Sequence, residues 1–128
     1  MGYYFSRIFA TSFDHTKERI RSSLKDEGFE FLFEIKFHEV LKEKLDITFK
    51  KYIVFGACNA KYTFEALKAD NKIGTILPCN VIVQQLDEGT IEVAIINANA
   101  AMLPIKNKQV QQIAEEVTEK LKSALDNA

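Results

Sequence analysis

The chain reads as an α+β domain, a mostly antiparallel sheet with helices packed on one face. Three observations predict it. Phe29, Phe31, Phe33 and Ile35 alternate with Glu30, Leu32, Glu34 and Lys36, the period-two pattern of a half-buried strand. Two strand-like runs, 77–84 and 90–96, flank the turn sequence Leu86-Asp87-Glu88-Gly89, which predicts an antiparallel hairpin. Val110, Ile113, Ala114, Val117, Leu121 and Leu125 recur at helical spacing with Glu and Lys on the other side, the signature of an amphipathic helix.

The remaining elements follow in order. Residues 2–10, with Tyr3, Phe5 and Ile8, predict a first strand. Ser12 or Asp14 offers an N-cap for a helix to about Glu27, with Ile20 and Leu24 on its buried side. Gly28 is placed to end it, because the residue after a helix often takes a left-handed backbone. After the Phe-rich strand, residues 38–45 predict a short helix with Val40, Leu41 and Leu45 on one face. Residues 52–57 form a compact apolar strand. Asn59 can cap the next helix, expected to reach Ala69, to bury Phe64 and Leu67, and to close at Asp70-Asn71. Residues 97–104 are expected to be a loop before the last helix. Helices on one sheet face leave the other uncovered. Several outward strand positions are apolar, so a homodimer across that second face is expected.

Composition bounds the function. A chain of 128 residues suits a single domain, residues 1–128, with a core that needs no staples, since such a chain buries roughly two-thirds of its unfolded surface. Ten Phe and no Trp are read as core aromatics. The net charge is -1 and the pI about 6.1. Without a basic excess to displace counterions from phosphate, nucleic-acid binding is not expected. No apolar run approaches the roughly 20 residues of a membrane span. Met1-Gly2-Tyr3-Tyr4-Phe5-Ser6-Arg7 lacks a basic region followed by an apolar stretch. A cytoplasmic protein with reduced thiols is expected. Gly2 with Ser6 fits the spacing of a myristoylation motif, but Tyr3, Phe5 and Ile8 assign that segment to a strand.

The two cysteines are each followed by asparagine, in Gly56-Ala57-Cys58-Asn59 and Leu77-Pro78-Cys79-Asn80. Cys58 ends a strand just before a helix. Free amides at a helix start attract negative charge and can lower a thiol pKa, and Lys61 would add to this. Cys58 is therefore the candidate catalytic nucleophile. Asn59 suits the N-cap. Pro78 fixes its own φ and biases Leu77 towards extended backbone, giving a stiff corner at Cys79 and Asn80. If the corners converge, Asn59, Cys79 and Asn80 would bind a ligand beside Cys58.

Three chemistries stay open at such a cleft. One is thiol redox or sulfur transfer, with Cys79 as resolving partner. Another is metal binding through Cys58, Cys79 and His38, although a structural zinc site normally takes four ligands at recognisable spacing. The third is a small anion held by helix amides and the Asn side chains. Packing is the plainer account, because free Cys often behaves as a small buried hydrophobe and Asn often serves local turns. It leads to the alternative of a non-catalytic dimeric interaction module with structural cysteines. No residue pattern names a cofactor. His15 reads as a solvated first-turn residue, and no G-x-S-x-G, P-loop, G-x-G-x-x-G or H-E-x-x-H motif occurs.

Glu27-Gly28-Phe29, Lys42-x-Lys44-Leu45, Gly56-Ala57-Cys58-Asn59, Ala66-Leu67-x-Ala69-Asp70, Ile73-Gly74 and Leu77-Pro78-Cys79-Asn80-Val81-x-Val83 occur in that order. In these segments, spread between about Phe5 and Met102, the chain resembles the domain of unknown function 302 family of small bacterial and archaeal proteins. The resemblance implies a TATA-box-binding-protein-like α+β fold and a homodimer, and no settled activity. It does not carry DNA binding with it, since function resides in sites rather than folds. The chain departs from the family pattern at Ala60, where Pro is common, at Asn97-Ala98, where Asp-Pro is frequent, and at Lys36, where Asp is frequent. Losing acidic groups at Lys36 and Asn97 weakens any metal or acid–base role built there. The expected function is small-ligand binding or thiol chemistry at the two Cys-Asn corners.

Overall fold

Alternating apolar residues give the chain five strands, and short polar turns fold them back on one another. In the computed structural model, which describes residues 2–128, these are β1 (Tyr4–Phe9), β2 (Glu30–Lys36), β3 (Tyr52–Cys58), β4 (Cys79–Asp87) and β5 (Thr90–Ile96). They form one sheet in the order β1-β5-β4-β3-β2, every pair antiparallel. The helices are α1 (Phe13–Asp26), α2 (Phe37–Leu45), α3 (Ala60–Ala69), α4 (Ala98–Met102) and α5 (Lys108–Asn127), with a 3-10 turn at Ile73–Ile76. This is the α+β, antiparallel architecture expected.

One sheet face carries the core. Ile53, Phe55, Val81, Val83, Ile91, Val93 and Ile95 pack with Ile20 and Leu24 of α1, Ala66 of α3 and the apolar stripe of α5. Arg7 also points to this side. Its guanidinium donates to the Leu125 and Asp126 carbonyls at 2.9 and 3.1 Å and lies 4.4 Å over the Phe9 ring. It thereby neutralises the carbonyl end of α5. Ser12 caps α1. At its far end Gly28 takes φ +88, while the Gly28 and Phe29 amides donate to the Lys25 and Leu24 carbonyls. That is the Schellman geometry for which Gly28 is suited.

Several expectations are corrected. Alternation along β2 breaks at a bulge: Phe31 pairs with Ala57 but Phe33 pairs with Gly56. Leu32 is the extra residue, and a bulge of this kind changes which residues face which side. Phe31 stays on the core side, whereas Phe33 and Ile35 go to the uncovered face. Glu34 turns towards α1, where Lys17 pairs with it at 2.9 Å. The Phe residues are accordingly not all core, since Phe33, Phe37, Phe49 and Phe64 are exposed. In α3 the buried residue is Ala66, and Phe64 and Leu67 face solvent, because the small Ala side chain lets the helix approach the core. No residue of α2 is fully buried, and Leu45 is exposed. Residues 97–104 are not simply a loop. Asn97 caps α4, accepting from the Ala100 amide, and Met102 is buried.

Candidate functional site

The two Cys-Asn segments do meet, as neighbours across the β3–β4 ladder. Gly56 pairs with Asn80 and Ala57 with Cys79. Their interlock accounts for much of the motif. A Cβ on Gly56 would collide with the Phe33 ring and lie 2.8 Å from Pro78 Cγ, so only glycine fits beneath that ring and against Pro78. Leu77 is extended, with φ -113 and ψ 154, as expected before Pro78.

The side chains of the four candidate residues do not gather at one site: Cys79 and Asn59 border a small cavity, and Asn80 faces away from it. Cys79 is buried within the core cluster. Burial, reinforced by neighbouring Cys58, pushes its thiol pKa up to about 11. This is the direction desolvation imposes, since the thiolate would lose its water. Cys58 is half-buried, its Sγ 3.2 Å from Thr63 Oγ1. Asn59 makes no side-chain bond to the start of α3. Its amide instead donates to the Glu27 carbonyl at 3.4 Å, over Gly28, where a Cβ would sit 3.0 Å from Asn59 Nδ2. The N-cap expected of Asn59 is thus replaced by a tether to the end of α1. Between Asn59, Tyr62, Cys79 and Met102 lies a cavity of about 20 Å³, room for about one water molecule.

Asn80 faces the other way. Sheet alternation puts it on the uncovered side, where it lines a cavity of about 350 Å³ with Tyr3, Tyr4, Tyr52, Gln84 and Glu92. The corners therefore share a ladder and, through Asn59 and Cys79, the small cavity, while Asn80 stands outside it. Sequence reasoning joined the four residues because their types matched, whereas strand alternation separates Cys79 from Asn80.

His38 is occupied elsewhere. The Tyr52 amide donates to His38 Nδ1 at 3.1 Å. Tyr52 and Cys58 are the two ends of β3, roughly 20 Å apart at strand rise, so His38 is not brought to the cysteines. Among the described residues, no three His, Cys, Asp or Glu side chains gather as a metal centre would require. His15 is exposed. Lys36 is exposed and pairs with Glu39 at 3.8 Å. Asn97, noted in the sequence only as a departure from the family's Asp-Pro, is a buried structural residue. Its amide donates to the Gly2 carbonyl at 3.0 Å, tying β1 to the start of α4. The sidedness of Tyr4, Tyr52, Gln84 and Glu92 was legible from strand alternation, but their convergence needed the register.

A five-stranded antiparallel sheet, helices on its core face and two interlocked Cys-Asn corners define a small α+β domain class. The model of the domain of unknown function DUF302 matches residues 5–128, and the chain belongs to this family. The crystal structure of an uncharacterized conserved DUF302 protein from Bacillus stearothermophilus is similar, with TM-score 0.91 and 25% identity over 99% of this chain and 98% of that one. No curated protein matches the chain.

Proposed function

We propose that this chain is a cytoplasmic, non-catalytic interaction module of the TATA-box-binding-protein-like kind. It works as a homodimer through the uncovered face of its sheet, and its cysteines have packing roles. The observation that carries this reading is the set of exposed apolar side chains at both edges of that face: Tyr4 at 47% and Ile8 at 52% exposure on β1, and Phe33 at 41% and Ile35 at 37% on β2. Phe37 and Phe49 extend the set, their rings 6.2 and 6.3 Å from that of Tyr52. Large apolar side chains exposed on an uncovered sheet face, with the half-buried Ile82 and Ile96 between them, support an interaction site there.

A second copy is the occupant the face suits. Both copies bring the same apolar side chains, and two sheets can stack about 10 Å apart with their inner faces forming a common core. Five strands spaced about 4.8 Å and about 20 Å long make a plane on the order of 500 Å². The flanking aromatics widen it towards the roughly 800 Å² per partner of a stable dimer. Pairing by the β2 edge is less favourable, since the bulge at Leu32 disrupts that edge. Thiol chemistry has less support. A resolving cysteine must ionise or be reached, whereas Cys79 is buried with a raised pKa and its cavity has no room for a substrate.

Sedimentation equilibrium over a wide concentration range tests the reading. The expected result is a dimer that Ile35→Glu converts to a monomer with unchanged circular dichroism. A wild-type chain that stays monomeric at every concentration overturns it.

A further inference from the structure

The cavity of about 350 Å³ on the uncovered face takes in Asn80 and Tyr4 but neither cysteine. Its size is that of a small-molecule site. Glu92 is the only carboxyl group among its lining residues, and no Lys or Arg lines it. Gln84 Nε2 donates to Glu92 Oε1 at 2.7 Å, which fixes the carboxylate and leaves Oε2 and the Gln84 carbonyl as free acceptors. Among the described residues Glu92 enters no ion pair. Three phenol rings complete the wall, with Tyr3 set edge-on to Tyr4 at a centroid distance of 4.9 Å.

We propose that this cavity binds a small organic ammonium ion, its N–H groups on Glu92 and Gln84 and its carbons against Tyr3, Tyr4 and Tyr52. The charge of the wall selects the ligand. An anion would meet an unpaired carboxylate and no counter-charge. A cation gains a charge-assisted hydrogen bond and the negative faces of the rings. The Tyr52 pKa is raised, by burial first and then by Tyr3 and Glu92, so this phenol stays neutral near pH 7 and adds no second negative charge. The site is lined by one chain's residues but lies on the face proposed for the dimer, so its ligand is titrated at protein concentrations where sedimentation shows the monomer.

The probes are n-butylammonium chloride, its neutral isostere n-butanol, and sodium butyrate, titrated at low ionic strength near pH 7. Calorimetry reads binding. Tyrosine fluorescence reads it independently, because the chain has no Trp. The expected result is saturable butylammonium binding about tenfold tighter than butanol, with no butyrate binding; Glu92→Gln then loses about tenfold in affinity. Tyr3 is 70% exposed, so Tyr3→Ser leaves the fold intact and weakens binding several-fold. It carries the test if Glu92→Gln fails to fold. Equal binding of butanol and butylammonium, undiminished affinity in either variant, or no saturation up to high millimolar concentration overturns the proposal.

Discussion

Cys79 concentrates the tension between a reactive residue type and an inert setting. Its neighbours are core side chains, and burial favours the neutral thiol over the thiolate. The folded pKa of about 11 lies above the ordinary 9.0, so the folded state holds its proton where the unfolded chain releases it. The sign of the linkage follows: stability is unaffected by this group below about pH 9 and falls as pH rises towards 11. The shift corresponds to about 3 kcal/mol at most. Urea titrations of wild type and Cys79→Ala between pH 7 and 11 should show a larger alkaline loss in the wild type, since the raised Tyr52 pKa contributes an alkaline loss to both. Iodoacetamide mapping of the native protein should label half-buried Cys58 ahead of Cys79. An alkaline limb undiminished in Cys79→Ala, or fast native labelling of Cys79, would contradict the account. Sequence alone could not assign these roles. A thiol beside a helix start and a thiol in a core are written with the same letter, and the burial that separates them comes from α3 and α5 packing over the sheet.

At the scale of elements, the β2–β3–β4 interlock turns on Gly56. The Phe33 ring from β2 crosses it and Pro78 from the entry to β4 abuts it, so one methyl group must displace two neighbours. Gly56→Ala should cost about 1–3 kcal/mol, the range for overpacking a filled site. Gly74 has no heavy atom within 4 Å of an added Cβ, so Gly74→Ala is the control and should stay within about 0.5 kcal/mol. Equal urea midpoints for the two variants would refute the interlock. This level was the most legible in the sequence. The hairpin, the stop at Gly28 and the apolar face of α5 were all visible, because each depends on local pattern or on one residue's backbone freedom. What was not visible depended on partners. The bulge at Leu32 exists only relative to β3. The outward turn of Phe64 reflects how closely Ala66 lets α3 approach. The cap at Asn97 needed a five-residue helix too short to leave a periodic trace.

For the whole molecule, the open question is what covers the second sheet face. Strand alternation revealed that this face is apolar, but a pattern of apolar residues does not say whether a helix, a ligand or another chain lies over it. The proposed homodimer has a thermodynamic signature that follows from the composition of the face. Tyr4, Ile8, Phe33, Ile35, Phe37 and Phe49 are uncharged, and Glu92 is the one carboxylate lining the adjoining cavity. An interface built from these groups gains little from Coulomb attraction. Screening, which shortens the Debye length from about 10 Å at 0.1 M to about 3 Å at 1 M salt, should therefore leave it nearly unchanged. Sulfate, which strengthens apolar burial, should tighten it. The expected outcome is a dimer dissociation constant that varies less than about threefold from low to high sodium chloride and falls in sodium sulfate, measured by sedimentation equilibrium. Association should also carry a negative heat-capacity change, the robust mark of apolar burial. A dimer that dissociates steeply with sodium chloride would instead be held by charged groups. Glu92 is the one carboxylate lining the cavity on this face, so the contact would then have to be sought among the charged residues of the helices and loops.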